Sequence, residues 1–477
     1  MLDRPDLAFP TIDHIDTPRA SVREVLAMSL PVVVRMASLT MMAFVDALMV
    51  ARVGKAEMAA VNPASLAFYA VFMLIDGLAS TNNTFVAQAF GARQFRDCAR
   101  YTWHAIYMVV ALGLAVQVIQ PHAAGLFGLM GHEEDVQVRE MAYFQIRLLG
   151  AAFVGVAVAL SSFFQGISRP RVPMVVALMA NGANVGLNYL LIFGRLGLPR
   201  MGIRGAALGT VIATAFQALI LLGLFLGGRV HRQYQTRRAL RLELRRLGQF
   251  IRIGGPVGIH WALDVGTWAI FVNIIVGRFG TDQLTASNIA SQFLRLSWLP
   301  TVGLNIAATQ LVGQWIGRGR PDIAQRRAVT ALKIGMAYMA VMGLVFLILR
   351  RPLISLFRTE PEVIRYGASI MIWAALFQVS DAIGIVLYGA LKGAGDTLFP
   401  AVSMLGSGWL VFLPAAWLFA VVLDFQAPGA WIGAALHITV VAGLMYWRFR
   451  SGHWRRLQLI KPAAPVPLPV DSLEERP

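Results

Sequence analysis

The stretch "VARVGKAEMAAVN" at residues 50–62 recurs as "VGRFGTDQLTASN" at residues 276–288. Both stretches end at an asparagine, and 288 minus 62 gives an offset of 226 residues. The segment "QAFGARQ" from Gln88 and the segment "QWIGRGR" from Gln314 keep that offset. Matches that recur at one spacing indicate an internal repeat, which fixes the architecture of the chain.

The composition favours a membrane protein. The chain has 477 residues, of which 57% are hydrophobic and 14% charged, and its mean hydropathy is +0.62. Apolar runs of about 20 residues can cross a hydrocarbon core of roughly 30 Å as helices, and none shows the alternation of a membrane barrel. We therefore expect an all-α polytopic membrane protein with twelve spans, near 27–50, 64–88, 101–121, 141–164, 174–194, 203–227, 253–277, 289–312, 328–349, 367–390, 399–423 and 427–447.

A third pair of matching stretches extends the repeat over most of the chain. "QGISRPRVP" from Gln165 and "KGAGDTLFP" from Lys392 lie 227 residues apart. Each half then holds six spans, an even number, so both halves enter the membrane from the same face. This predicts two six-helix lobes related by a pseudo-two-fold axis along the membrane normal.

The charge pattern predicts the orientation. The net charge is +17, and five basic stretches fall on one side of a twelve-span protein, although "GRLGLPRMGIRG" is a basic exception on the other side. By the positive-inside rule that side is cytoplasmic, as are both termini of a multi-pass protein. The basic runs are topology signals, so no nucleic-acid partner is expected. The predicted regions are a cytoplasmic N-terminal segment, a first lobe, a basic linker, a second lobe and a cytoplasmic tail, at 1–26, 27–228, 229–252, 253–450 and 451–477.

Acids inside the spans do not follow the repeat. Asp46 plus 226 falls on Val272, and Asp264 minus 226 falls on Ser38. A charge at mid-helix costs about 2.5 to 3.5 kcal/mol on insertion scales, so each one calls for a reason. Asp46 is either a protonatable or cation-binding group, or a carboxylate that snorkels or pairs with a neighbouring helix.

Polar residues of spans five and six are expected near Asp46. Asn184 and Asn188 are four residues apart and share one helix face, and Thr210 adds a hydroxyl from the next span. The alternative to an ion site is hydrogen bonding between helices, worth about 0.6 kcal/mol per contact.

The second half carries its own acids, Asp264 and Asp381. They could share a proton or hold Na⁺ together with carbonyl and hydroxyl oxygens. His260 lies one helical turn before Asp264 and is expected to pair with it, as a structural partner or a modulator. Four further charges in the spans have no assigned role, although Arg35 is a candidate partner of Asp76; they are Arg35, Asp76, Arg147 and Arg295.

The ordered set of motifs resembles the multidrug and toxic compound extrusion (MATE) transporters. The matching segments are "FVDALMV", "QAFGARQ", "NVGLN", "GAALGT" and "SDAIGIVLYGALKGAGD", and the resemblance covers about residues 25–450. It implies a secondary antiporter of the bacterial inner membrane that exports amphipathic, often cationic compounds in exchange for H⁺ or Na⁺. It implies no enzyme activity and no cofactor, contacts with membrane lipids, and a monomer.

The resemblance also assigns the site residues. Asp46, Asn184 and Thr210 match a cation site of the first lobe, while Asp264 and Asp381 match acids of the second lobe in the NorM-like branch. Two positions depart from the pattern: Asp264 stands where that branch usually has Glu, and Asn188 stands where some relatives carry an acid. The first departure shortens the reach of the carboxylate by one methylene. The second removes one charge from the first-lobe site and leaves the coupling ion open between H⁺ and Na⁺.

Two other functions fit the same sequence. A flippase for a lipid-linked precursor could use the deep arginines to bind a phosphate, although they are scattered over several spans. A receptor or ion channel would show no exchange stoichiometry. The chain lacks the phosphate-binding motif G-x-x-x-x-G-K-[ST], which argues against ATP as the energy source.

Overall fold

The computed structural model describes residues 18–128 and 131–460. Residues 1–17 of the predicted N-terminal segment 1–26 and residues 461–477 of the predicted tail 451–477 lie outside that range. Within it the chain is helical, with 3₁₀ or π turns at Val116–His122, Thr236–Arg238, Phe271–Val276, Gly277–Phe279, Gly408–Phe412, Leu418–Val422 and His453–Arg456. The α-helices are α1 Pro18–Ala51, α2 Lys55–Ser80, α3 Asn82–Gly91, α4 Phe95–Ala115, α5 Ala123–Gly128, α6 Glu134–Leu149, α7 Ala151–Gly166, α8 Arg171–Phe193, α9 Gly202–Leu226, α10 Gly228–Tyr234, α11 Leu244–Ile270, α12 Thr281–Gly317, α13 Pro321–Ile348, α14 Arg350–Ser355, α15 Pro361–Ala394, α16 Leu398–Ser407, α17 Leu413–Trp417 and α18 Gln426–Arg450.

These helices account for the twelve predicted spans, with two differences of shape. Ten helical segments of the described chain are long and apolar enough to cross a membrane, and α6 with α7 adds an eleventh. That fourth span is bent by 46° instead of straight. The bend lies at Gly150, between α6 and α7, where the Gly150 amide bonds to the carbonyl three residues back instead of four. The eighth span is α12, whose 37 residues are long enough but less apolar. The eleventh span is interrupted by π turns on both sides of α17.

The hydrophobic core divides along the repeat. One cluster of buried side chains lies mostly in the first half, from Val50 to Phe225, and also includes Phe250 of α11 and Ile460. Two further clusters belong to the second half, one around Trp315 and one around Trp431. The division is not complete, because Val25 of α1 belongs to the cluster around Trp315. The halves also pack directly on each other, since α1, α2 and α3 contact α11 and α12.

Basic stretches of both halves gather at one end of the bundle, as predicted. Arg246 of α11 bonds to Asp97 of α4 at 3.1 Å, and Arg327 of α13 bonds to Glu24 of α1 at 2.6 Å. We call this end the basic end. It comprises residues 18–26, 88–104, 165–171, 228–252, 310–330, 392–397 and 448–460.

Two glutamines join the halves reciprocally at the basic end. Gln88 donates a hydrogen bond to the carbonyl of Gly393 at 3.0 Å. Gln314, its repeat equivalent, donates to the carbonyl of Gly166 at 2.7 Å. A Cβ atom added at Gly317 would overlap the carbonyl oxygen of Gln88, so only glycine permits this approach of α3 and α12. Two of the three repeat matches found in the sequence thus meet where the halves join at the basic end.

Candidate functional site

Asp46 lies in a polar cluster inside the first lobe. Asn188 of α8 donates from Nδ2 to Asp46 Oδ1 at 2.6 Å, and Thr210 of α9 lies 3.5 Å from Oδ2. Asn184 is joined to Asn188 at 3.2 Å and to Thr210 at 3.4 Å. Asn184 and Asn188 are fully buried, and Thr210 is 5% exposed. The structure therefore brings together all four residues that the sequence placed here.

The partners of Asp46 are hydrogen-bond donors. An ionised carboxylate only accepts hydrogen bonds, so the Asn188 amide suits the anion. The Thr210 hydroxyl has one hydrogen, which it donates to the Ala206 carbonyl at 2.9 Å while lying 3.5 Å from Asp46. A hard cation such as Na⁺ instead needs oxygen lone pairs, and Asn188 presents N–H to the carboxylate. Arg147 of α6 also lies within electrostatic range of Asp46 and stacks over the Phe68 ring, 4.4 Å from its centroid. The cluster can hold a negative charge or receive a proton.

The acids of the second lobe are not joined to each other. Asp264 lies on α11 and Asp381 on α15, both partly exposed. Within the described chain we find no group of three or more Asp, Glu, His or Cys side chains that could hold a metal ion. A Na⁺ ion here would depend on carbonyl and hydroxyl oxygens.

The expected pairing of His260 with Asp264 is wrong. Both ring nitrogens of His260 are buried and have no hydrogen-bond partner among the described residues. The ring packs instead against Trp261, at 5.0 Å between centroids, and against Tyr388, at 6.2 Å. Helical spacing put the two residues on one face, but neighbouring aromatic side chains hold the imidazole.

A second group of charges lies where the two lobes meet. Lys392 of α15 is 8% exposed and donates from Nζ to the Ser80 hydroxyl of α2 at 2.8 Å. Asp76 lies one turn before Ser80, and its electrostatic interaction with Lys392 is stronger than its interaction with Arg35. Arg35 thus interacts with Asp76, as suspected, but it is the lesser partner.

Tyr69 connects this group to the second lobe. It is 44% exposed and lies within electrostatic range of Asp76, Asp264 and Arg295. The boundary between the lobes is therefore lined by charges of both signs, contributed by α1, α2, α11, α12 and α15.

Sequence reasoning missed Lys392 and the approach of Arg147 to Asp46. A signal for the lysine was present, because its repeat equivalent is Gln165. Lys392 therefore breaks the repeat in the same way as the acids do. Nothing in the sequence indicates that the α6 arginine faces α1, because that depends on how the helices pack.

A family model matches the chain over both halves of this fold. The MatE model covers residues 31–190 and 265–418, and these ranges include Asp46, Asn188 and Asp381. The chain belongs to the MatE family of MATE transporters. The resemblance deduced from the motifs is confirmed.

Curated relatives align over nearly the whole chain. A probable multidrug resistance protein NorM of Mesorhizobium japonicum is 28% identical over 453 residues, covering 93% of this chain and 96% of the relative. The multidrug resistance protein NorM of Burkholderia vietnamiensis is 29% identical over 427 residues, covering 88% and 91%.

Solved structures share the fold. The eukaryotic MATE transporter AtDTX14 superposes with a TM-score of 0.82 at 19% identity, covering 92% of this chain and 98% of that one. A MOP superfamily transporter from Pyrococcus furiosus gives 0.83 at 20% identity, covering 91% and 97%. The predicted all-α membrane fold, with two six-helix lobes, is confirmed.

Proposed function

We propose that the protein is an antiporter that exports amphipathic, often cationic organic compounds in exchange for a coupling ion. The observation that carries this proposal is the Asp46 cluster, a carboxylate held by Asn188 and Thr210 inside one lobe of a MatE fold. The names of the NorM relatives, which are multidrug resistance proteins, support the choice of substrate class.

The coupling ion that best suits the cluster is H⁺. Protonation of Asp46 removes the negative charge that its two donors stabilise, so the helices that supply them can rearrange. Transport against a gradient requires that proton and drug compete, and by reciprocal linkage each weakens the binding of the other. Na⁺ remains the rival ion, and Asp264 with Asp381 is its alternative site.

The acids of the second lobe suit the positive group of a substrate. Asp264 and Asp381 are partly exposed, and no hydrogen bond or ion pair within the described residues occupies them. A carboxylate in a cleft of low dielectric attracts an organic cation more strongly than one in water does. The exposed aromatic ring of Tyr69 adds an apolar surface and a cation–π partner.

Export proceeds by alternating access of the two lobes. The basic end is taken as cytoplasmic by the positive-inside rule, and the glutamine bonds across the lobes hold it closed. The structure then corresponds to a state that faces outward. Opening the basic end requires breaking these bonds, after which the cleft admits substrate from the cytoplasm or the inner leaflet.

Transport by purified protein in liposomes tests the proposal. The vesicles contain a fluorescent organic cation, and pH and Na⁺ gradients are imposed separately. We expect a pH gradient alone to drive exchange, Asp46→Asn to abolish this dependence, and Asp381→Asn to weaken binding of the cation. The matched control is Asp282→Asn, which neutralises an exposed acid at the start of α12.

Each alternative predicts a different result in the same vesicles. Exchange driven by Na⁺ alone would assign coupling to the other ion. Flux without counter-ion stoichiometry would indicate a channel, and movement of a lipid-linked phosphate would indicate a flippase. If Asp46→Asn and Asp381→Asn both leave export and its ion dependence unchanged, the proposed mechanism is wrong.

A further inference from the structure

The chain that follows α18 is fixed to the second lobe by a tryptophan. After a turn at Gly452, with φ of 71°, residues His453–Arg456 form a 3₁₀ turn. Trp454 is fully buried and stacks on Phe449 with the ring centroids 5.0 Å apart. Its indole N–H donates to the carbonyl of Phe449 at 2.8 Å. Both aromatic residues belong to a hydrophobic cluster of the second lobe.

A few residues later the same segment is buried in the first lobe. Ile460 is 6% exposed and belongs to the hydrophobic cluster of that lobe, and Leu459 packs against the cluster. The backbone N–H of Leu459 donates to Gln88 Oε1 at 3.1 Å. The chain therefore passes from one lobe to the other at the basic end, within the seven residues from Trp454 to Ile460.

This segment also bonds to Gln88, the glutamine that joins the first lobe to α15. Gln88 accepts from Leu459 through its oxygen and donates to the Gly393 carbonyl through its nitrogen. The Leu459 side chain also lies against Gly395, where an added Cβ atom would come within 2.9 Å of it. A single glutamine is thus held by the segment and by α15 together.

We propose that residues 453–460 form a strap that holds the two lobes together at the basic end and must detach before that end can open. Trp454 fixes the strap to one lobe and Ile460 fixes it to the other. An extended chain covers at most about 3.3 to 3.6 Å per residue, so the segment from Trp454 to Ile460 spans at most about 20 Å, and a wider separation of the lobes releases one anchor. The strap therefore stabilises the conformation closed to the cytoplasm, and this inference rests on the alternating access proposed above.

Distances between spin labels on the two lobes test the strap. The labels are placed at Arg96 and Asp322, exposed positions at the basic end that the repeat relates by 226 residues. They are introduced as Arg96→Cys and Asp322→Cys, with the single native cysteine removed by Cys98→Ser. The full-length chain in lipid nanodiscs should give predominantly short distances.

Two substitutions weaken the strap by different means, each with a matched control. Ile460→Asp puts a charge in the first-lobe core, whereas Gln458→Asp adds the same charge at an exposed neighbour. Leu459→Pro removes the donor to Gln88, whereas Gln458→Pro introduces proline next to it. We expect both strap variants to raise the ratio of long to short distances at least about fivefold, and both controls to leave it unchanged.

The outcomes separate the strap from the proposed function. Unchanged distances in Ile460→Asp and Leu459→Pro, with a monodisperse and thermally intact protein, would overturn the strap even if the parent exchanges drug for ions. Absence of exchange in the parent would overturn the antiporter, while the distances still report whether the strap holds the lobes. Equal increases in the Gln458 controls would mean that any change in the tail loosens the basic end, which also overturns the strap.

Discussion

Gln88 and Gln314 hold the same position in the two halves of the repeat, and each donates a hydrogen bond to a glycine carbonyl of the opposite half. Both side chains are buried, with exposures of 0% and 4%. A neutral hydrogen bond contributes about 1 kcal/mol, and a buried carbonyl left without a donor costs about 1 to 3 kcal/mol. The pair is therefore strong enough to set the balance between a closed and an open basic end.

We predict that Gln88→Leu and Gln314→Leu each shift the protein toward opening at the basic end. Each substitution removes a donor and leaves a buried glycine carbonyl without a hydrogen bond in the closed form. The ratio of open to closed forms should therefore rise about tenfold per site, and more in the double variant. Accessibility of engineered cysteines to a soluble thiol reagent measures the shift. Gln233→Leu, at an exposed glutamine of the linker, should change nothing. Equal accessibility in all variants would contradict a role for the pair.

Removing one donor of the Asp46 cluster should slow coupling without affecting drug binding. Thr210→Val keeps the shape of the side chain and deletes the hydroxyl that faces Asp46. Because the hydroxyl also donates to the Ala206 carbonyl at 2.9 Å, its contribution to Asp46 is that of an ordinary hydrogen bond, about 0.5 to 1.5 kcal/mol. We therefore expect a loss of about twofold to tenfold in efflux driven by a pH gradient. Thr214→Val is the control, because that hydroxyl donates to the carbonyl of Thr210 on its own helix. A comparable loss in both variants would point to helix stability instead.

The sequence was sufficient for the fold because hydropathy and repetition are properties of the chain alone. Twelve apolar runs, and the offset between Gln88 and Gln314, predicted the spans and the relation between the halves. The bend at Gly150 was not predicted, because a single glycine in an apolar run does not show whether its neighbours hold the helix straight. The π turns around α17 left no signal either.

The site was predictable only where residues share a helix or a known motif. Asn184 and Asn188 face Asp46 because their spacing matches the helical period. The same spacing suggested a bond between His260 and Asp264, but the imidazole packs against aromatic rings of its own helix and α15. Contacts between distant helices, such as Lys392 with Ser80, depend on packing that no local pattern records.

Lys392 should weaken the binding of cationic substrates. Its ammonium lies at the lobe boundary beside Asp76, so Lys392→Gln, which copies the residue at the equivalent position 165, removes a repulsive charge. At an effective dielectric constant of about 20 to 40 and a separation of about 10 Å, this corresponds to a gain in affinity of about fourfold to sixteenfold. Fluorescence titration with a cationic ligand and an uncharged analogue measures it.

The uncharged analogue and a second variant make this prediction specific. Ser80→Ala removes the hydroxyl that the lysine bonds but keeps the positive charge, so its affinity for the cation should not increase. A gain for both ligands in Lys392→Gln would reveal a change in the shape of the cleft, and no gain for the cation would place the substrate away from Lys392.

Glu243, at the start of α11 outside the membrane, should make stability depend on pH. Its hydrogen bond to Arg246, 2.8 Å long, lowers the pKa of the carboxyl below its usual range. A carboxyl with a lowered folded-state pKa stabilises the protein above its unfolded pKa, about 4.3, and loses that contribution as the pH falls through the folded value. The side chain is 33% exposed, so solvent screening limits the contribution to below about 1 kcal/mol.

Thermal unfolding in detergent checks this linkage with Glu243→Gln. We expect the variant to be less stable than the parent at about pH 7, and the difference to vanish at about pH 3 and to shrink in salt. Glu133→Gln, at an exposed glutamate of the opposite end, provides the matched control and should show no difference that depends on pH. At low pH the protonated carboxyl of the parent and the amide of Glu243→Gln are both uncharged. If the variant is still less stable than the parent there, the loss of stability comes from packing and not from charge.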